Sequence, residues 1–246
     1  MRFNALLGQK AQTLYLPHFK EKYMKGKQLA FIISGIIIID QALKFYIKTH
    51  YYLKESHAVL GSDGIVPNFS LYFVENEGMA WGWKFGGDIG KIILTLFRLF
   101  AVIWGVFLLK GFIEKKYHKG FIICAGMIFA GALGNLIDSL FYGMIFENSN
   151  ECFPNVAHLL PKDGGYASFL HGKVVDMLSF SILKIEHLPS WIPFWGGGQF
   201  TFFDPIFNIA DASISVGVIV ILLFQKTFFK VEETTPENTT IAEQTS

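Results

Sequence analysis

Four long apolar runs stand out from an otherwise mixed chain, at about Leu29–Ile47, Ile92–Leu109, Phe121–Tyr142 and Ile206–Phe229. About 20 apolar residues in a helix, at about 1.5 Å each, cross the hydrocarbon core of a bilayer. Each run therefore predicts a transmembrane helix. The first could be mistaken for a cleaved leader, but it follows a long polar segment and ends in Asp40-Gln41-Ala42-Leu43-Lys44 rather than small residues. It reads as a retained helix. Between the first two runs, 51–90 contains Val66-Pro67-Asn68-Phe69-Ser70-Leu71-Tyr72-Phe73-Val74, whose aromatic and β-branched content predicts short strands. A second long connection, 143–205, separates runs three and four. The fold class expected is an α-helical polytopic membrane protein of four transmembrane helices, with a small extracytoplasmic β-rich segment between helices 1 and 2. Its parts are a basic leader (1–28), one membrane domain (29–230) and a polar tail (231–246) with no apolar period, expected to be disordered.

Composition agrees with the pattern. Of 246 residues, 52% are hydrophobic, 16% aromatic and 17% charged, and the excess lies in long stretches. The net charge of +1 gives no ground for a nucleic-acid partner. Its distribution says more. Lys and Arg gather in the leader (Arg2, Lys10, Lys20, Lys22, Lys25, Lys27), in the short second connection (Lys110, Lys115, Lys116, Lys119) and after the last run (Lys226, Lys230). Basic segments stay cytoplasmic. Both termini are therefore expected inside, and the two long connections outside. Trp81, Trp83, Trp191 and Trp195 fall in those outer segments, where an interfacial aromatic belt is expected. Cys124 lies in an apolar run and Cys152 in a polar one, so they are not expected to pair, and no Cys/His cluster suggests a metal.

Carboxylates in membrane helices are costly, about 2.5–3.5 kcal/mol each on insertion scales, yet three occur. Asp40 has Lys44 at i+4, Asp138 has Asn135 at i−3, and Asp211 has Asn208 at i−3. Such spacings share a helix face. With both termini inside, all three pairs fall in the outer half of the membrane. Asp176, in Lys173-Val174-Val175-Asp176-Met177-Leu178, is the one acid in an apolar stretch of the outer segment. Each feature has an ordinary reading: an intrahelical ion pair, asparagine glue between helices, an acid at the water interface. One shared polar site accounts for all four acids together.

Five segments in order resemble the lipoprotein signal peptidase family (signal peptidase type II). They are Asp40…Lys44; Asn76-Glu77-Gly78-Met79-Ala80-Trp81-Gly82; Gly134-Asn135-Leu136-Ile137-Asp138; Val174-Val175-Asp176; and Phe207-Asn208-Ile209-Ala210-Asp211. Together they cover about residues 30–225. The resemblance implies an intramembrane aspartic endopeptidase of the bacterial cytoplasmic membrane. Its substrate would be the signal peptide of a prolipoprotein with a diacylglyceryl cysteine, cut just before that cysteine. It implies Asp176 and Asp211 as the catalytic pair, which needs no cofactor or metal, because two adjacent carboxylates sharing a proton supply both base and acid. Asn76, Asn135 and Asn208 would position peptide or oxyanion. Asp40, Lys44 and Asp138, with Gly78 and Ala210 of the motifs, would support them. Membrane lipids are the expected surroundings, and a monomer the expected state.

Two departures from the family pattern stand out. Ser139 occupies the place where the family usually has an arginine expected to hold substrate oxygens, and serine lacks a charged fork. Lys173 is the candidate stand-in. The second is an insertion, Met144–Leu170, before the Val-Asp segment. Among other readings, a zinc peptidase lacks its His-Glu-x-x-His. A small transporter or proton-coupled channel should place its acids near the midplane. A non-catalytic scaffold explains the asparagines but not Asp176 and Asp211 together.

Overall fold

All four apolar runs are helical. In the computed structural model, residues 23–61, 68–77, 87–185, 189–191, 197–198, 200–202 and 204–229 are described. Helix α1 spans Gly26–His50, α2 Gly87–Glu114, α3 Lys119–Ile137 and α4 Ile209–Phe228. A π-helical turn, Asp138–Tyr142, and a last helical turn, Gly143–Ile145, prolong α3. All four helices are long and apolar enough to cross a membrane. The leader up to residue 22, Gly78, Trp81, Trp83, Trp195 and the tail from residue 230 lie outside the described residues.

Helix α3 is the central one, and small residues make it so. A Cβ on Gly134 would stand 2.8 Å from Asp40 Oδ2 of α1 and 3.3 Å from the Ala210 Cβ of α4. Gly131 faces the Ala210 carbonyl and Ser213, while Gly217 of α4 returns the contact at the Cys124 carbonyl. Close approach of backbones substitutes in lipid for a hydrophobic driving force. Helix α2 packs more loosely. It turns Ile93, Phe97, Phe100, Trp104 and Phe107 outward and buries Lys91, Thr95, Val102 and Leu109.

The strands come from both long connections. β1 (Ser56–Leu60), β2 (Asn68–Asn76), β3 (Val174–Ser181) and β6 (Ile206–Phe207) form one antiparallel sheet in the order β1-β2-β3-β6, and β4 (Leu183–Ile185) pairs with β5 (Phe200–Phe202) apart from it. The register sets Asn76 opposite Val174 and Val74 opposite Asp176. Strand β6 corrects the expected start of the fourth span. Ile206 and Phe207 pair with Ser179 and Leu178, and the helix begins only at Ile209. Asn208 caps the helix, its side chain accepting from Asp211 N at 2.9 Å. The sheet docks on the bundle through a buried apolar cluster of Ile47, Phe73, Tyr142, Phe146, Val175 and Met177.

The insertion folds back along the end of α3. Ala167 N donates to the Gly143 carbonyl, Tyr166 N to the Phe146 carbonyl and Gly172 N to the Ser139 carbonyl. Cys124 is buried and Cys152 exposed, and both are free thiols.

Candidate active site

The polar residues of three helices and two strands meet at one end of the bundle. They come from the C-terminal half of α1, the C-terminal end of α3 with its π-helical turn, the N-terminus of α4, the end of β2, and β3. Lys44 lies at the centre and is fully buried. Its ammonium stands 2.9 Å from Asp40 Oδ2 and 2.7 Å from Asp138 Oδ2, and donates to Asn135 Oδ1 at 2.9 Å. Gln41 joins the two acids, donating to Asp138 Oδ1 at 2.8 Å and to Asp40 Oδ2 at 3.2 Å. The Tyr142 hydroxyl donates to Gln41 Oε1 at 3.1 Å, which fixes the direction of that amide.

Asp40 and Asp138 each hold a backbone amide next to another acid. Asp40 Oδ1 accepts from Ala210 N at 2.9 Å, one residue before Asp211. Asp138 Oδ2 accepts from Val175 N at 3.4 Å, one residue before Asp176.

Asp176 and Asp211 are joined by two asparagines. Asn135 Nδ2 donates to Asp211 Oδ1 at 2.7 Å, and Asn208 Nδ2 donates to Asp176 Oδ1 at 2.7 Å. Asn208 Nδ2 also lies 3.2 Å from Asn135 Oδ1, closing the chain between them. Asn76 Nδ2 donates to the other oxygen of Asp176 at 3.2 Å. Burial, and then the charge of Asp211, push the Asp176 carboxyl up to about 7. The hydrogen bonds from Asn76 and Asn208 and the charge of Lys44 oppose that rise. Such a carboxyl keeps its proton to near neutrality, whereas an ordinary aspartate ionises at about 4.

Of the residues singled out in the sequence, the structure thus gathers Asp40, Lys44, Asn76, Asn135, Asp138, Asp176, Asn208, Ala210 and Asp211. Gly78 lies outside the described residues. Lys173 faces away from the acid pair, its ammonium 3.3 Å from Glu75 Oε2 and 5.4 Å from the Tyr166 ring. Glu75 also pairs with Lys48, a fully buried lysine that donates to Ser149 of the insertion at 2.8 Å. The cation that reaches residue 139 is instead Arg98 of α2, whose Nη1 donates to Ser139 Oγ at 2.9 Å. On the same helix, Lys91 donates to the Glu77 carbonyl at 2.6 Å and Thr95 to the Leu170 carbonyl at 3.0 Å. Sequence reasoning passed over these three and Gln41. The signal for the α2 residues was present: Lys91, Thr95 and Arg98 fall at i, i+4 and i+7, one polar stripe on an apolar helix.

A family model described as signal peptidase (SPase) II matches residues 32–228. The chain is 40% identical over 227 residues to a protein of Porphyromonas gingivalis named lipoprotein signal peptidase, covering 90% of this chain and 95% of that one. A protein of the same name from Amoebophilus asiaticus is 34% identical over 194 residues, covering 76% and 72%. Among solved structures, a bacterial membrane enzyme superposes with a TM-score of 0.52 at 24% identity, covering 87% of this chain and 98% of that one. That likeness bears on the fold.

Proposed function

The chain belongs to the signal peptidase II family of aspartic peptidases, and from that premise we propose that Asp176 and Asp211 are the pair that performs its hydrolysis. The chain is thus a hydrolase of a bacterial membrane, and the transporter and scaffold readings fall away. The observation that carries the assignment is the unbroken path Asp176–Asn208–Asn135–Asp211. It links acids from two separate elements at one end of the bundle and supports their sharing one proton.

In the mechanism this implies, the ionised member of the pair takes a proton from water as the water oxygen bonds to the scissile carbonyl carbon. The protonated member gives its proton to the carbonyl oxygen, yielding a gem-diol. On collapse the carbon–nitrogen bond breaks, one hydroxyl proton returns to the pair, and the leaving nitrogen receives the proton first taken from water. One proton shared between two carboxyls is what both steps require. The raised value at Asp176 keeps that proton available to near pH 7, and apparent constants then belong to the pair. Amide donors of Asn76 and Asn208 on Asp176, and of Asn135 on Asp211, hold the acids at fixed orientation.

The substrate we assign is the signal peptide of a prolipoprotein, cut just before its diacylglyceryl cysteine. A site at one end of a lipid-facing helix bundle suits a lipid-anchored cysteine, which presents its peptide bond at bilayer depth. Basic residues concentrated at the opposite ends of the helices support placing that site toward the outer face, with both termini cytoplasmic. The test is processing of a lipidated peptide by purified protein. Asp176→Asn and Asp211→Asn keep the shape but cannot move a proton, so each is expected to lose about 10³-fold or more in turnover while remaining folded. Wild-type activity should persist with chelators present. Near-normal turnover by either variant would end the assignment.

A further inference from the structure

Among the charged groups that take no part in the mechanism is Arg98. Arg98 sits in the apolar run of α2, half-buried, and is the only arginine between residues 3 and 246. A guanidinium in a membrane helix is costly, and such groups face polar interiors. This one turns to the acid cluster. It donates to Ser139 Oγ at 2.9 Å, the Ser139 hydroxyl donates to the Asn135 carbonyl at 3.0 Å, and the Asn135 side chain donates to Asp211 at 2.7 Å. Its charge is felt, in descending order among the acids, with Asp211, Asp138 and Asp176. Two polar contacts brace the helix around it, Lys91 to the Glu77 carbonyl and Thr95 to the Leu170 carbonyl.

Charge arithmetic shows why the cluster needs it. Among the described residues, Asp40 and Asp138 share a single ion-pair partner, Lys44. With both acids ionised, that inner group carries a net negative charge beside Asp176 and Asp211. A further negative charge on the pair is then disfavoured. A second cation, held at Ser139 beside this group, offsets this.

Building on the assignment of Asp176 and Asp211 as the acting pair, we propose that Arg98 is a positioning residue that keeps this pair singly ionised in the neutral range, delivering from α2 to Ser139 the charge that serine itself lacks. Among the described residues, the charged groups around the pair are Asp40 and Lys44 of α1, Arg98 of α2 with Lys91 two turns away on the same face, and Asp138 of the π-helical turn. Lys91 stands nearer Glu77 and Arg98 itself, which leaves Arg98 as the α2 cation acting on the pair. A nearby cation favours ionised carboxylates and lowers both proton-loss steps of the pair. Removing it raises both, so the whole bell of activity against pH moves alkaline.

The experiment is the pH dependence of kcat/KM on a lipidated peptide for the full-length protein in detergent. Arg98→Gln is expected to move both limbs upward by about 1 pH unit. Arg98→Lys keeps the charge and should leave the limbs in place, at a higher KM. In the exchanged variant Arg98→Ser/Ser139→Arg the guanidinium approaches the same spot from α3, and the limbs should return to their wild-type position. A reduced but unmoved profile for Arg98→Gln, or complete inactivity of the folded variant at every pH, would overturn the inference. If Arg98→Gln fails to accumulate, the exchanged variant decides: limbs at the wild-type position support the role, displaced limbs refute it. The aspartate variants separate the two readings. Inactive Asp176→Asn and Asp211→Asn beside an unmoved Arg98→Gln profile would remove the role of Arg98 alone, whereas active aspartate variants would remove the pair.

Discussion

Lys44→Met is the substitution that loads the most of this design onto one atom. Methionine keeps the stem and fills much of the space, so the loss is confined to the ammonium. That ammonium is fully buried, at 2.9 Å from Asp40 and 2.7 Å from Asp138. Without it the hydrogen-bond partners of the two carboxylates among the described residues are all neutral: Gln41 for both, Ala210 N for one and Val175 N for the other. Breaking a buried ion pair by removing one partner costs about 3–5 kcal/mol, because a charge stays behind uncompensated. For a chain of this size that lowers the melting temperature by about 6–20 °C. Turnover should fall as well. Lys44 donates to Asn135 Oδ1 and so turns the amide nitrogen of Asn135 toward Asp211. Unfolding can be followed through the buried thiol of Cys124 with a thiol-reactive fluorophore, in a Cys152→Ser background because Cys152 is exposed and would react at once. Adding Asp138→Asn removes one of the stranded charges and should recover at least about 1 kcal/mol. A Lys44→Met protein within about 1 kcal/mol of its parent, or a double variant weaker than the single one, would refute the reasoning.

Two further outcomes are expected. Gly134→Ala places a methyl 2.8 Å from Asp40 Oδ2 and 3.3 Å from the Ala210 Cβ, and should cost about 1–3 kcal/mol together with much of the turnover. Gly35→Ala on α1, with nothing within 4 Å, should lose neither, and equal thermal stability of the two variants would contradict the packing described. Cysteines introduced near Gly61 and Gly164 should label with an impermeant reagent from outside the cell, and one near Lys116 only after permeabilisation. Outside labelling at Lys116 would invert the orientation.

The spans were legible because a membrane imposes length and polarity on each helix separately. The pairs Asp40/Lys44 and Asn135/Asp138 were legible for a similar reason: helical spacing fixes which residues share a face. Asn208 looked the same in sequence but plays a different part, since it caps α4 from outside the helix. The pairing of β2 with β3 was hidden, because it joins residues about a hundred positions apart and depends on how the bundle brings both connections together. Lys48 and Glu75 were hidden likewise, each unremarkable until the fold buries them against one another. Arg98 was missed for another reason. One arginine in a long apolar run reads as an interruption, and only the partner on another helix shows which way it faces.

With Asp176 and Asp211 as the proposed pair, the placement of Asp40 and Asp138 gives the two further acids a supporting part. The pair must be held at a fixed separation, although Asp176 sits on a strand and Asp211 on a helix; the pairing of β3 with β6, which leads into that helix, sets the two elements side by side but does not reach the acids' own backbone amides. Each supporting acid grips the backbone amide just before one member, Ala210 N on the helix and Val175 N on the strand. Lys44 and Gln41 then bind the two supporting acids to each other. Short contacts around a single buried lysine thereby join the asparagine path and the β3–β6 pairing in setting the separation of the pair. Charge is the consequence: two extra carboxylates beside a pair that must hold a proton push toward too much protonation. The Arg98 cation, which reaches Ser139 from a helix that contributes little else to the site, offsets that push without disturbing the grip on either backbone.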